Sequence, residues 1–151
     1  MKRTIFFFVF IMNIVFAQES QVFYSLHEAL KTPEKVHTLH LRNQDFKEFP
    51  KQLFKFPNLM YLDISDNQIQ EIPKKIKKLK NLRFLSISKN NISALPKEIC
   101  ELIHLEVLLI QENKLSVLPE NFGNLTSLKK INGAHNSLSN LPNSFGKLTN
   151  L

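Results

Sequence analysis

A chain of 151 residues, 43% hydrophobic and without tryptophan, has material for one domain-sized core and not for several domains. Its formal charge of +7 is modest, and no aromatic platform is interleaved with the basic residues, which argues against nucleic acid as a partner. A single cysteine, Cys100, excludes an internal disulfide, so packing and hydrogen bonds must hold the fold.

Residues 1–17 read as a secretory signal peptide. Lys2 and Arg3 precede an apolar run from Ile5 to Phe16, and Val15-Phe16-Ala17 ends in a small residue suited to cleavage. The run is shorter than the roughly 20 apolar residues that a spanning helix requires, and Asn13 interrupts it, so no membrane-spanning segment is expected after its removal. Cleavage would leave Gln18 at the mature N-terminus and place the chain outside the cytoplasm, in the medium, the periplasm or on the cell surface. No cysteine directly follows the cleavage point, so lipid attachment is not expected.

Residues 18–35 read as a linker and cap. Within them YSLHEALKT, residues 24–32, has the pattern of a short amphipathic helix: Ser25 and Glu28 stand at capping-box spacing, Leu26, Ala29 and Leu30 share a face, and Pro33 stops it. This helix is expected to cover the open edge of the strand that follows, whose N–H and C=O groups would otherwise lack partners.

From residue 36 a unit returns every 23 residues, with Val36, Leu59, Leu82, Leu105, Leu128 and Leu151 opening successive copies. Positions 4 and 6 of each copy (Leu39/Leu41, Leu62/Ile64, Leu85/Ile87, Leu108/Ile110) alternate with other residues and so point to one face of a short strand. Position 9 carries Asn67, Asn90, Asn113 and Asn136, whose amides can bond backbone groups where the chain leaves the strand; Gln44 stands there in the first copy. A proline at position 15 (Pro50, Pro73, Pro96, Pro119, Pro142) presets φ for the next turn. Apolar residues at positions 18 and 21, three apart, share one face of a short helical turn.

The copy LMYLDISDNQIQEIPKKIKKLKN fits L-x-x-L-x-L-x-x-N-x-L followed by L-P-x-x-[IF]-x-x-L, and on these residues the chain resembles the leucine-rich repeat family over residues 36–151, in the 23-residue class of secreted bacterial and intracellular plant-type arrays. The resemblance implies an α/β solenoid: an arc with a parallel β-sheet on its concave face and short helical or 3-10 turns on its convex face. The sequence stops as a sixth copy begins, with Leu128, Ile131, Leu138, Leu141, Phe145 and Leu148 facing an open end, so it reads as the front of a longer array. Gly133 replaces Leu or Ile at position 6, and a void or bend is expected in a loosened fifth copy.

Position 5 aligns His40, Asp63 and Ser86 on neighbouring strands, yet a nucleophilic triad needs the histidine between acid and hydroxyl, and here Asp63 is central. An Asp63–His40 contact is the expectation, without catalysis. His37 and His40 fall on opposite strand faces, and His27, His104 and His135 occupy unrelated positions, so neither a metal site nor a cofactor is expected. Asn91-Ile92-Ser93 and Asn124-Leu125-Thr126 are glycosylation sequons with meaning only in a eukaryotic secretory pathway. Cys100 is expected to face outward on the convex side beside the inward Ile99. Lys74, Lys75, Lys77, Lys78 and Lys80 ring the second convex turn and read as a solvated ridge with, as the alternative, a weak attraction to an anionic surface.

The concave sheet remains as a ligand surface, the customary one in the family this chain resembles. Tyr61, Phe84, Val107 and Leu109 are expected to form an apolar stripe bordered by polar groups, with His40 and Asp63 beside it, the composition of an interface centre and rim. Aromatic side chains also suit a strand surface for packing alone. The reading is a secreted or envelope-associated module that binds a protein, without enzymatic activity. Its alternative is a structural or targeting segment of a larger envelope protein whose activity, enzymatic or otherwise, lies beyond residue 151.

Overall fold

The computed structural model describes residues 21–151; the signal peptide expected at 1–17 lies outside them. Six short strands form one parallel sheet in strict sequence order: β1 (Val22–Phe23), β2 (Thr38–His40), β3 (Tyr61–Asp63), β4 (Phe84–Ser86), β5 (Val107–Leu109) and β6 (Lys130–Asn132). The register advances by one repeat at each step, so that Thr38, Tyr61, Phe84, Val107 and Lys130 lie side by side. Each of β2 to β6 is followed by a 3-10 turn on the opposite side of the coil: Lys51–Lys55, Lys74–Lys78, Lys97–Glu101, Phe122–Asn124 and Asn143–Lys147. The solenoid with a concave parallel sheet and convex 3-10 turns is therefore the architecture present. The five coils are residues 36–58, 59–81, 82–104, 105–127 and 128–150.

The core follows the period. Positions 1, 4, 6, 11, 14, 18 and 21 are buried through the second, third and fourth coils, from Leu59 to Leu125. The 3-10 geometry explains why positions 18 and 21 both point inward, since side chains three apart eclipse one another. In the fifth coil burial falls away: Leu128 and Leu148 are buried, Ile131, Leu138 and Phe145 are half-buried, and Leu141 is 57% exposed. Gly133 does not bend the sheet, because Ile110 N–H still donates to Asn132 O at 2.9 Å and Glu112 N–H to Ala134 O at 2.9 Å. A Cβ at Gly133 would meet Leu138 Cδ1 at 3.5 Å and Ile110 Cδ1 at 3.9 Å, ordinary contact distances, so the missing side chain leaves space in the core.

The asparagine ladder is complete. Asn90 Nδ2 donates to Ile64 O, Ile87 O and Ser88 O, and its Oδ1 accepts from Ile69 N–H at 2.9 Å. Asn67, Asn113 and Asn136 repeat the scheme one coil at a time. Gln44, in the same position of the first coil, reaches instead to the cap, its Nε2 donating to Tyr24 O at 2.9 Å. Position 8, directly before the ladder, is left-handed in every coil: Asn43, Asp66, Lys89, Glu112 and His135 have φ between 52° and 58°. None is glycine, the residue for which that conformation carries no steric cost.

A second row of asparagines also follows the period. Asn58, at position 23, donates to Glu34 O of the N-terminal cap, and Asn81 and Asn150, at the same position, donate to Pro57 O and Thr126 O of the preceding coil; the row is interrupted by His104 and Ser127.

Three expectations are corrected. The N-terminal edge is covered by β1, which pairs Val22 with Thr38 and Phe23 with Leu39; the helix α1 is only Leu26–Ala29, with Ala29 buried beneath it. Ser25 caps α1 without a side-chain hydrogen bond, and Glu28 is drawn instead to Lys31 at 2.8 Å, so no capping box forms. Cys100, expected to face outward, is 1% exposed. Position 19 of the tight 3-10 turn is aimed at the following coil: at the same position in the next coil a Cβ on Gly123 would lie 1.9 Å from Ser144 O.

Candidate functional site

The concave face is built from the outward positions of the strands. Tyr61 and Phe84, adjacent in register, stack with ring centroids 4.0 Å apart and planes within 4°. Val107 continues the line on β5, and Leu109 stands beside Ser86, two residues further along the same strand. All four side chains of the expected stripe are half-buried and lie on one face.

The aromatic row also extends the other way, through His40, expected beside the stripe, to Tyr24, which was not expected on this face. His40 packs against Tyr61 at 4.9 Å, and Tyr24 stacks on His40 at 5.4 Å with planes 17° apart. Tyr24 precedes the first repeat, so no period could assign it to this face; in the structure it is 68% exposed at the end of the row. Four rings, Tyr24, His40, Tyr61 and Phe84, thus run continuously across β1 to β4. Such ring pairs contribute about 0.5–1.5 kcal/mol beyond area burial, so the row is a stiff surface rather than a set of independent side chains.

His40 Nδ1 stands 4.0 Å from Asp63 Oδ2, the contact expected from the sequence. Asp63 Oδ1 is held by the N–H and hydroxyl of Ser65, at 3.0 and 2.6 Å, which fixes the carboxylate. Burial, and secondarily the Asp63 charge, raises the Tyr61 phenol above its ordinary range, keeping it a hydrogen-bond donor. Ser86 is 3% exposed and its hydroxyl is shared with Ser88 at 3.1 Å. The His40, Asp63, Ser86 column therefore assembles no nucleophile–base relay: the hydroxyl is turned to a neighbouring serine and the histidine lies two strands away. Among the described residues no three His, Cys, Asp or Glu side chains are placed to hold a metal ion. No helix among them is long and apolar enough to cross a membrane.

A polar rim borders the apolar line. Arg42 approaches Asp66 at 3.4 Å and Lys89 approaches Glu112 at 3.8 Å on one side. On the other, Glu106 is gripped by Lys129 at 2.6 Å and Arg83 at 2.7 Å, and these two bonds, Lys129 first, hold its carboxyl below the usual range. Gln111, next to Leu109 but one, has its Oε1 buried without a partner. On the convex side Lys74, Lys75, Lys77, Lys78 and Lys80 are all exposed, as expected, and Lys77 approaches Glu101 at 3.7 Å. Burial pushes the Cys100 thiol up to about 12, which leaves it protonated and unreactive at neutral pH.

Stacked coils of one length, a parallel sheet and an internal asparagine ladder define a leucine-rich repeat array in form. The family model described as leucine-rich repeat region matches residues 36–151, and the chain belongs to the leucine-rich repeat family. Among solved structures it is similar to a leucine-rich repeat protein of Leptospira interrogans, at 30% identity and a TM-score of 0.74, over 87% of this chain and 40% of that one. It is similar to the ectodomain of the Arabidopsis receptor kinase HAESA in complex with an N-terminally extended IDA peptide hormone, at 36% identity and a TM-score of 0.71, over 78% of this chain and 21% of that one. It is also similar to internalin C2 of Listeria monocytogenes, at 27% identity and a TM-score of 0.70, over 78% of this chain and 50% of that one. The chain thus spans half or less of the length of these structures. No curated protein sequence gives a significant match.

Proposed function

We propose that this chain is an exported leucine-rich repeat module, without catalytic activity of its own, that binds a protein through the concave face. The observation that carries the reading is the parallel Tyr61–Phe84 stack, set in a row of four rings and continued by Val107 and Leu109 between two charged borders. Rigid aromatic surface within a polar rim is what interface centres are made of. The HAESA ectodomain, which holds a peptide ligand, supports a role in binding for an array of this kind. The basic and apolar pattern of residues 1–17 supports export, with Gln18 as the mature N-terminus.

The test is affinity capture of surface proteins with wild-type chain and with Phe84→Asp, circular dichroism confirming the fold of each. Phe84→Asp should weaken capture by about 2 kcal/mol or more while the coil stays folded, because position 3 points away from the core. Lys77→Asp, on the convex face, should leave the same capture unchanged. Retention of every partner by folded Phe84→Asp would sink the concave reading.

A further inference from the structure

The convex face is electrically lopsided. Its first three 3-10 turns read KQLFK, KKIKK and KEICE and carry seven lysines, whereas the last two, FGN and NSFGK, carry one. The coil register turns that composition into geometry. Lys51, Lys74 and Lys97 occupy position 16 of consecutive coils, and Lys55 and Lys78 occupy position 20, so two columns of ammonium groups run along the solenoid axis, across the coils. All five are exposed. Among the described residues none of the five has a carboxylate within 4.0 Å, and Glu98, which lies between them, is buried with its Oε2 unpartnered.

Like charges in repeated columns repel one another; Glu101, at position 20 of the third coil, ends the second column and approaches Lys77 rather than a column lysine, and Glu48 and Glu71 flank Lys51 without pairing with it. The chemistry that would relieve them is a polyanion whose charges also recur along a line. A flat anionic bilayer fits less well, because Ile103, beside Lys77, Lys80 and Glu101, is the single exposed large hydrophobic residue described as bordering these turns, too little apolar surface for the acyl boundary. A single-stranded nucleic acid lacks stacking partners here, since Phe54 is the one aromatic side chain of the three turns left partly open and it is stacked on Phe49 at 5.8 Å.

We propose that the convex face of the first three coils binds a linear anionic polysaccharide, laid along the Lys51–Lys74–Lys97 and Lys55–Lys78 columns. This site is independent of the concave one, so either can fail alone. The chain can be titrated with fluorescein-labelled polygalacturonate by anisotropy. Binding should fall steeply between low salt and about 0.15 M, where charges are screened beyond about 8 Å. Lys51→Glu with Lys74→Glu should lower affinity about tenfold, against less than about threefold for Lys35→Glu with Lys114→Glu, which makes the same net charge change off the columns. Phe84→Asp should bind the polymer as wild type does. Equal loss in both double variants would overturn the proposal in favour of undirected attraction. So would tighter binding to phosphatidylglycerol vesicles or to a single-stranded oligonucleotide than to the polyuronate, or the absence of salt-sensitive binding to the polymer.

Discussion

The third and fifth coils have the same length and the same ladder, yet they are not equally built. In the third coil Leu85, Ile87, Ile92, Ile99 and Leu102 are wholly buried and Asn90 makes four bonds. In the fifth, Asn136 also bonds Ile110 O, Gly133 O, Ala134 O and Leu115 N–H, but Ile131, Leu138 and Phe145 are only half-buried and Leu141 is exposed. Hydrogen bonding and burial have therefore come apart. Each ladder amide is satisfied by its own coil and the one before it, whereas apolar side chains need neighbours on both sides. A coil can have complete ladder bonding while its core is open, and the solenoid's polar specificity points one way along the chain.

The comparison can be broken first at the ladder. Asn90→Ala leaves Ile69 N–H unpaired in a dry site, while Ile64 O, Ile87 O and Ser88 O each lose one donor and keep another (Asn67 Nδ2, Asn113 Nδ2 and Asp66 N–H), and should cost about 2–3 kcal/mol, whereas Asn136→Ala, which water can reach, should cost about 1 kcal/mol. Urea unfolding of the two variants measures this; equal losses would show that burial does not set the worth of a ladder bond.

Glycines at the edge of the fifth coil give opposite signs. Gly123→Ala drives a Cβ into the backbone of Ser144 and should destabilise by about 1–3 kcal/mol, separating the last two turns. Gly133→Ala adds a methyl group at contact distance from Leu138 and Ile110, with no positive φ to oppose it, and should stabilise by about 0.5–1 kcal/mol. Thermal melts that gave both the same sign would contradict the packing described for this coil.

Thiol labelling compares the coils without altering their packing. Cys100, buried with its thiol pushed up to about 12, should react with a disulfide reagent at neutral pH only at the rate of unfolding, while a cysteine placed at the exposed Ser139 of the fifth coil should react at once. Prompt labelling of native wild-type chain would place Cys100 at the surface.

The smallest effect is electrostatic. The Glu106 carboxyl is held low by Lys129 and Arg83, so any contribution it makes is complete above the pKa of an unfolded glutamate and is lost as pH falls through the lower folded value. Glu106 is only partly buried, so the signature to follow is its own titration by NMR. Lys129→Ala should raise it toward an ordinary glutamate, and an unmoved titration would show that the Lys129 contact is not held in solution.

Much of this was legible in the sequence because the period is strict. A residue repeated at 23 can be assigned a direction once one copy is assigned, which gave the sheet, the buried rows, the ladder and the Tyr61, Phe84, Val107 and Leu109 line. What escaped lay outside the period or within a turn. β1 is two residues long and Tyr24 has no counterpart in the repeats, so neither could be aligned. Cys100 read as outward from its place beside the inward Ile99, but at this position a long charged side chain such as Lys77 can leave the turn while a short one stays under the next coil. The row of Asn58, Asn81 and Asn150 was visible in the letters but broken by His104 and Ser127. The left-handed turn at position 8 was hidden most completely, because lysine and glutamate are residues that do not announce it.

That turn bears on how such a surface can change over generations. Asn43, Asp66, Lys89, Glu112 and His135 adopt one backbone conformation despite side chains that are neutral, acidic, basic and aromatic. The ladder and the neighbouring strands dictate the shape, and the side chain merely tolerates it. A substitution at this corner therefore rewrites one letter of the rim without redrawing the frame that displays it, and five such corners, one per coil, can diverge independently toward a new partner.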